Sequence, residues 1–385
     1  MNAKGATYLM QLTPAGRSAV ATLRVEGPGA TEQLALHFRS ASGLELADQP
    51  VSKILFGRWG SDEGEALVVV RRAADAWEIH CHGGPAAVEA IGSHLIAAGV
   101  EPRSWREWVE QRDHDPIRAA ALIALAAART ERTALILLDQ YQGALRRAIE
   151  RVQTQIAAEE EVAARRTLET LLRCAPLGQH LTRPWRVVLA GRPNVGKSSL
   201  INALVGYRRA IVYDQPGTTR DVVTATTAID GWPVELADTA GLRDTSEAIE
   251  TAGIEQTRAG LSSADRVVLV FDAAQAWSGD DAALAAAWPA ALPVHNKADL
   301  ANGGDRARPG GIMTSAITGE GVDELIAAIG RQLVPEAIPA GAAVPFTEAQ
   351  QAALEEAHAA LVAGHPAAAH EVLRRLLGES RGTRS

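Results

Sequence analysis

Between the apolar run WRVVLA at 185–190 and the amphipathic run SLINALV at 199–205 the chain reads Gly191-Arg192-Pro193-Asn194-Val195-Gly196-Lys197-Ser198. No other feature constrains the fold as strongly. A G-x-x-x-x-G-K-[ST] segment needs a strand before it and a helix after it, so that a glycine-rich turn can aim backbone N–H groups inward at phosphate oxygens. The helix N-terminus then adds partial positive charge, Lys197 bridges the oxygens, and Ser198 offers a hydroxyl to Mg²⁺. From Trp185 to about Val334 buried-type strands alternate with helices (RVVLVFD, DAALAAAW, LPVHNKADL, GVDELIAAIGRQL), which predicts a doubly wound α/β domain over 184–335.

With 385 residues, more than one domain is expected. Residues 1–113 carry short β-rich runs (YLMQL, AVATLRV, KILFG, EALVVV, WEIHC) and helical periodicity in TEQLALHF and PAAVEAIGSHLIAAGV, predicting an α+β domain. Residues 114–183 change to long Ala/Leu/Arg/Glu helices, and after the linker PEAIPAGAAVP two further amphipathic helices fall within 336–385. Helices on both sides of the α/β segment predict that it is inserted into a helical domain. No apolar run approaches the roughly 18 residues needed to span a bilayer, and MNAKGATYLMQLTPAGR has no secretory pattern, so a cytoplasmic location is expected. Cys81 and Cys174 are too few for a disulfide framework. The net charge of −8 shows no global positive field for nucleic acid. Only four residues are lysine, Lys4, Lys53, Lys197 and Lys297, and two of these lie in motifs.

Forty-one residues past Lys197, the strand PVELAD ends in Asp238-Thr239-Ala240-Gly241. This puts a carboxylate near the Mg²⁺ water shell and a glycine N–H near a γ-phosphate. Between the two motifs, Gly217-Thr218-Thr219-Arg220-Asp221 sits among turn residues. Thr219 is the threonine expected to complete the Mg²⁺ shell only when the γ-phosphate is present, making this loop a two-state element. Asn296-Lys297-Ala298-Asp299 follows the apolar run ALPVH. The Asp299 carboxylate can accept from N1–H and N2–H of guanine, whereas adenine lacks the N1 proton, so GTP is expected over ATP. Ser315-Ala316 is expected to add a backbone N–H near guanine O6. The nucleotide set is therefore Asn194, Val195, Gly196, Lys197, Ser198, Ser199, Thr218, Thr219, Asp238, Thr239, Ala240, Gly241, Asn296, Lys297, Asp299, Ser315 and Ala316.

The spellings GRPNVGKSS, DQPGTTRD, DTAGLRDT and NKAD resemble the MnmE (TrmE) family of bacterial tRNA-modification GTPases over about 150 residues, and TPAGRSAVATLRVEG and WEIHCHGGP resemble its folate-binding domain more weakly. The resemblance implies a conformational cycle driven by hydrolysis of GTP to GDP and phosphate. It also implies a homodimer, a flavoprotein partner, and installation of an aminomethyl-type group on the wobble uridine of tRNA. Leu242 stands where Ras-type enzymes carry a water-orienting glutamine. Asp244, Glu247 and Glu250 are the acidic alternatives, which physics alone leaves unranked; the resemblance selects Glu250, acting through a bridging water. It likewise assigns Asn194 to a bound K⁺ in place of an arginine finger, with Tyr213, Gln215 and Thr218 completing the site. Arg24 and Glu78 match positions that hold a tetrahydrofolate derivative; the residue-level alternative is an exposed strand salt bridge. His80, Cys81 and His82 make a poor metal site, since alternation sends Cys81 to the opposite face. Gly83-Gly84-Pro85 is expected to turn a strand into a helix with Pro85 at its first position. The chain departs from the family in having no cysteine after Cys174, where the family ends in Cys-x-Gly-Lys, in a shorter helical segment, and in Asp113-His114-Asp115 where a folate-contacting lysine is usual. The competing reading is a GTPase switch without modification chemistry, such as a ribosome-assembly factor.

Overall fold

The computed structural model describes residues 5–61, 63–206, 224–238, 264–301 and 308–379, which fall into two units, Met1–His114 and Asp115–Ser385. In the first unit the strands are β1 (Tyr8–Gln11), β2 (Val20–Glu26), β3 (Phe38–Ser40), β4 (Ile54–Trp59), β5 (Glu65–Ala73), β6 (Ala76–His82) and β7 (Glu101–Pro102). They form one sheet in the order β3-β4-β5-β6-β2-β1-β7, antiparallel except where β1 meets β7. Strict alternation along ILFGRW buries Leu55 and Trp59 on one face, where Leu23, Val69 and Ile79 join them beside helices Ala30–Ala35 and Pro85–Ala97. Ile54 and Phe56 remain exposed on the other face. Pro85 is the first residue of its helix, as its fixed φ favours, and Gly83 packs so closely that a Cβ would lie 2.3 Å from Ser18 O. Cys81 is buried, opposite in facing to its neighbours His80 and His82. The helix read over TEQLALHF ends at Ala35. Phe38 already belongs to β3, opposite Trp59, because burying its ring in the sheet outweighs a weak helical propensity.

The second unit opens with helices Pro116–Leu125, Glu131–Tyr141, Ala144–Ala157 and Glu161–Gln179. The first starts where it does because Asp115 accepts from Ile117 N and Arg118 N and proline occupies the first turn. A second sheet follows, with β8 (Trp185–Ala190), β9 (Thr224–Ile229), β10 (Trp232–Asp238), β11 (Arg266–Asp272), β12 (Leu292–Asn296) and β13 (Ile312–Met313) in the order β13-β12-β11-β8-β10-β9. It is parallel except for β9, which forms a hairpin with β10. Helices Lys197–Gly206, Gly279–Ala287 and Val322–Leu333 interleave with the strands, and Glu348–Val362 and Pro366–Leu376 end the described chain. One apolar core runs from Leu145 and Leu168 in the early helices through Val187 and Val234 in the sheet to Leu354 and Leu373 in the last helices.

Buried polar groups fasten the returning segment 342–347 to the earlier helices. Gln140 donates through Nε2 to Ala342 O at 3.0 Å and accepts through Oε1 from Val344 N at 3.1 Å. At Gly178 a Cβ would lie 1.8 Å from Pro345 O, so only glycine lets the helix pass. We expect Gln140→Leu to lower stability by about 1–3 kcal/mol in urea unfolding, since it leaves a half-buried carbonyl and a buried N–H unpaired; an unchanged midpoint would show that this fastening contributes nothing.

Candidate nucleotide-binding site

Because β8, β10, β11 and β12 are parallel, their carboxyl ends open on one edge, where an α/β sheet presents its crevice. The loop after β8 turns sharply: at Gly191 a Cβ would meet Val270 O at 2.2 Å. Asn194 takes a left-handed conformation (φ 65°), which asparagine tolerates better than most residues. Val195 is buried and anchors the loop. Lys197, the first residue of the following helix, is buried with its ammonium under the loop, donating to Gly191 O at 3.3 Å and Arg192 O at 3.2 Å. It lies 3.8 Å from Asp238 Oδ1. Ser198 Oγ donates to Asp238 Oδ2 at 2.7 Å. Ser199 is exposed at the same helix start. A hydroxyl and a carboxylate side by side are hard oxygen donors of the kind Mg²⁺ takes, one directly and one through water.

The segment after β12 locks onto this loop. Asn296 Nδ2 donates to Val195 O at 3.0 Å, and Lys297 Nζ donates to Asn194 O at 2.7 Å and to Asp272 Oδ2 at 2.7 Å. At Gly196 (φ 92°) a Cβ would lie 2.4 Å from Asn296 Nδ2, so the glycine is needed both for its backbone and for this contact. Asp299 is exposed on the turn Ala298–Leu300, and its carboxylate has no hydrogen bond or ion pair among the described residues, leaving both oxygens available. Ser315 N–H is engaged with Glu320 O at 2.9 Å, and Ala316 N–H with Asn296 Oδ1 at 3.2 Å.

The structure thus brings together Asn194, Val195, Gly196, Lys197, Ser198, Asp238, Asn296 and Lys297, with Ser199, Asp299, Ser315 and Ala316 on the same sheet edge. Tyr213, Gln215, Thr218, Thr219, Thr239, Ala240, Gly241 and Glu250 lie outside the described residues. Arg24 and Glu78 face each other across β2 and β6 and pair at 3.2 Å. The pair is largely buried, joined by Glu26 at 2.7 Å and Arg72 at 2.6 Å, with the Arg24 guanidinium 5.0 Å from the Trp108 ring. Sequence reasoning missed Asp272, which ends β11 as Asp238 ends β10 and so carried the same signal of a carboxylate at a strand's end. It also missed Arg308, for which no sequence signal exists. Arg308 holds the carbonyls of Asp272 at 3.2 Å and Gln275 at 2.6 Å and reaches His295 Nδ1 at 3.3 Å.

Residues 186–297 match the family of 50S ribosome-binding GTPases. The chain is 35% identical over 365 residues to a protein of Prochlorococcus marinus (strain MIT 9303) named tRNA modification GTPase MnmE, covering 82% of this chain and 78% of that one. A protein of the same name from Geobacillus kaustophilus (strain HTA426) is 32% identical over 433 residues, covering 96% of this chain and 94% of the relative. Among solved structures, the G domain of the T. maritima FeoB iron transporter is 28% identical, covering 40% of this chain and all of that one, with a TM-score of 0.30.

Burial, then the neighbouring Arg308 cation, holds the His295 imidazole below its ordinary pKa, against the opposing pull of its bond to Pro309 O and of Asp281. A histidine kept neutral when folded adds stability above the ordinary value of about 6.5; that stability fades as pH falls below it, because the unfolded chain binds the extra proton. The thermal midpoint is expected to fall between pH 7.5 and 5.5, and His295→Gln to flatten part of that fall. Equal slopes in both proteins would refute the assignment.

Proposed function

This chain belongs to the MnmE family of tRNA modification GTPases, and from that premise we propose how its residues divide the work. It is a GTP-hydrolysing enzyme of tRNA modification. The observation that carries the reading is the pair of bonds from Asn296 and Lys297 into the backbone of Val195 and Asn194, which make one pocket of a phosphate loop and a purine-reading segment.

In that pocket Lys197 and the loop amides receive the β- and γ-phosphates, while Asp299 accepts from the guanine N1–H and N2–H. Ala316 N–H turns from Asn296 Oδ1, where its bond is long, to the purine oxygen. Ser198, and Asp238 through water, would hold Mg²⁺, which would supply positive charge against that of the phosphates. Thr219 joins that shell, with Thr218, Thr239, Ala240 and Gly241 around the γ-phosphate. Asn194, with Tyr213, Gln215 and Thr218, would hold K⁺, which would supply the fixed positive charge that an arginine finger gives elsewhere. Glu250 positions the attacking water through a second water and takes up its proton, so that phosphate and GDP are released.

Residues 1–113 form a folate-binding and dimerisation domain, residues 114–183 and 336–385 a helical domain, and residues 184–335 the GTPase domain inserted into it. The Arg24–Glu78 network suits a tetrahydrofolate derivative, since its guanidinium and carboxylate match the acid and amide groups of such a molecule. The exposed Ile54 and Phe56 suit a second copy of the chain. Within the cytoplasm the dimer works with a flavoprotein partner on the wobble uridine of tRNA. Among the described residues no helix is long and apolar enough to cross a membrane.

Deleting the gene and measuring wobble uridines by mass spectrometry tests the role. Loss of the modification, restored by the wild-type gene and not by Lys197→Ala, is expected; an unchanged profile leaves a GTPase switch without modification chemistry. For hydrolysis, Glu250→Ala is expected to keep GTP affinity and slow turnover on the order of 100-fold, and Na⁺ in place of K⁺ to slow the wild type. Turnover unaffected by either change refutes those two roles.

A further inference from the structure

We propose that the cleft between helices Ala144–Ala157 and Glu161–Gln179 and the segment following Leu333 binds a small anionic molecule with an apolar ring body. Its volume, about 1010 Å³, is at the upper end of the range usual for small-molecule sites. The floor is apolar, built from Leu171, Leu177, Trp185, Leu333 and Ile338. The rim is cationic: Arg151, Arg166, Arg173 and Arg266 line it against a single carboxylate, Glu336. Arg266 is occupied with the carbonyls of Gln332 and Asp265. The other three arginines are exposed, and their side chains have no hydrogen bond or ion pair among the described residues.

Three free guanidinium groups around one cleft stand out in a chain of net charge −8. Arg166 and Arg173 are seven residues apart on one helix, which places them on the same face, and Arg151 comes from the helix before it. Like charges gathered this way are offset most directly by a bound anion, and guanidinium forks suit carboxylate, sulfonate or phosphate. The apolar floor argues for a ring-bearing molecule over a bare phosphate backbone, which needs charge alone. The Trp185 indole N–H, buried and unpartnered among the described residues, adds an unused donor in the wall.

The cleft supplies its own reporter. Cys174 lies in the lining and is partly exposed, while Cys81, the only other cysteine, is buried. The test is a titration of the full-length protein with 8-anilinonaphthalene-1-sulfonate, followed by dye fluorescence and by the rate at which neutral dithiodipyridine labels Cys174. One saturable site per chain is expected, with labelling slowed at the same half-saturation. In the double variant Arg166→Ala/Arg173→Ala, binding is expected to weaken at least about tenfold, while GTP turnover stays at the wild-type level. That control separates this proposal from the nucleotide reading, on which it does not depend. Unchanged dye affinity in the double variant, or Cys174 labelling indifferent to saturating dye, would overturn it. So would a single-stranded RNA oligomer that displaces the dye and binds more tightly through the same arginines, which would make the cleft an RNA contact.

Discussion

The bond from Asn296 Nδ2 to Val195 O joins two loops separated by 101 residues, and the nucleotide pocket depends on it. A phosphate loop alone grips any nucleotide, and a base-reading segment alone has nothing to register against. Held together through Val195, Asn194 and Gly196, they fix the distance between the place for the phosphates and the place for the purine. The lock is backbone-directed on one side, which is why the glycine beneath it has no room for a side chain. The same lock sets where the exposed Asp299 carboxylate stands relative to the phosphate loop.

Burial sharpens the same pocket. Lys197 and Asp238 are both withdrawn from water, and charges so placed act through a lower dielectric than surface charges do. Each is compensated within the protein: Lys197 by two loop carbonyls, Asp238 by the Ser198 hydroxyl. The described part of the pocket thus holds its charged groups in place through bonds of its own.

Much of this was legible in the sequence, because the motifs are spaced by what the backbone must do. Glycine, lysine and serine at fixed offsets between a strand and a helix leave little freedom, and the carboxylates that end strands inherit a place from the parallel sheet. What resisted reading depends on which strands become neighbours. The contact of Lys297 with Asp272 requires β11 to lie beside β12, and the clamp of Arg308 on Asp272 and Gln275 has no local pattern behind it. Two features were signalled and went unread. Asp230-Gly231, with positive φ at both residues, is a strong hairpin dipeptide that announces β9, and Asp115 followed by Pro116 is an ordinary helix start. Phe38 was misread for the opposite reason, a local helical pattern overruled by its partner Trp59.

The β9–β10 turn is moored to the helix that begins at Glu131. Arg132 pairs with Asp230 at 3.1 Å, and Thr130 Oγ1 donates to Gly231 O at 2.6 Å. From that mooring β10 runs straight to Asp238, roughly 20 Å away at the rise of a strand. An extended strand paired inside a sheet keeps its length, so its two ends hold a fixed separation. The Asp238 carboxylate at one end is therefore placed, through that strand, relative to the helix that begins at Glu131 at the other.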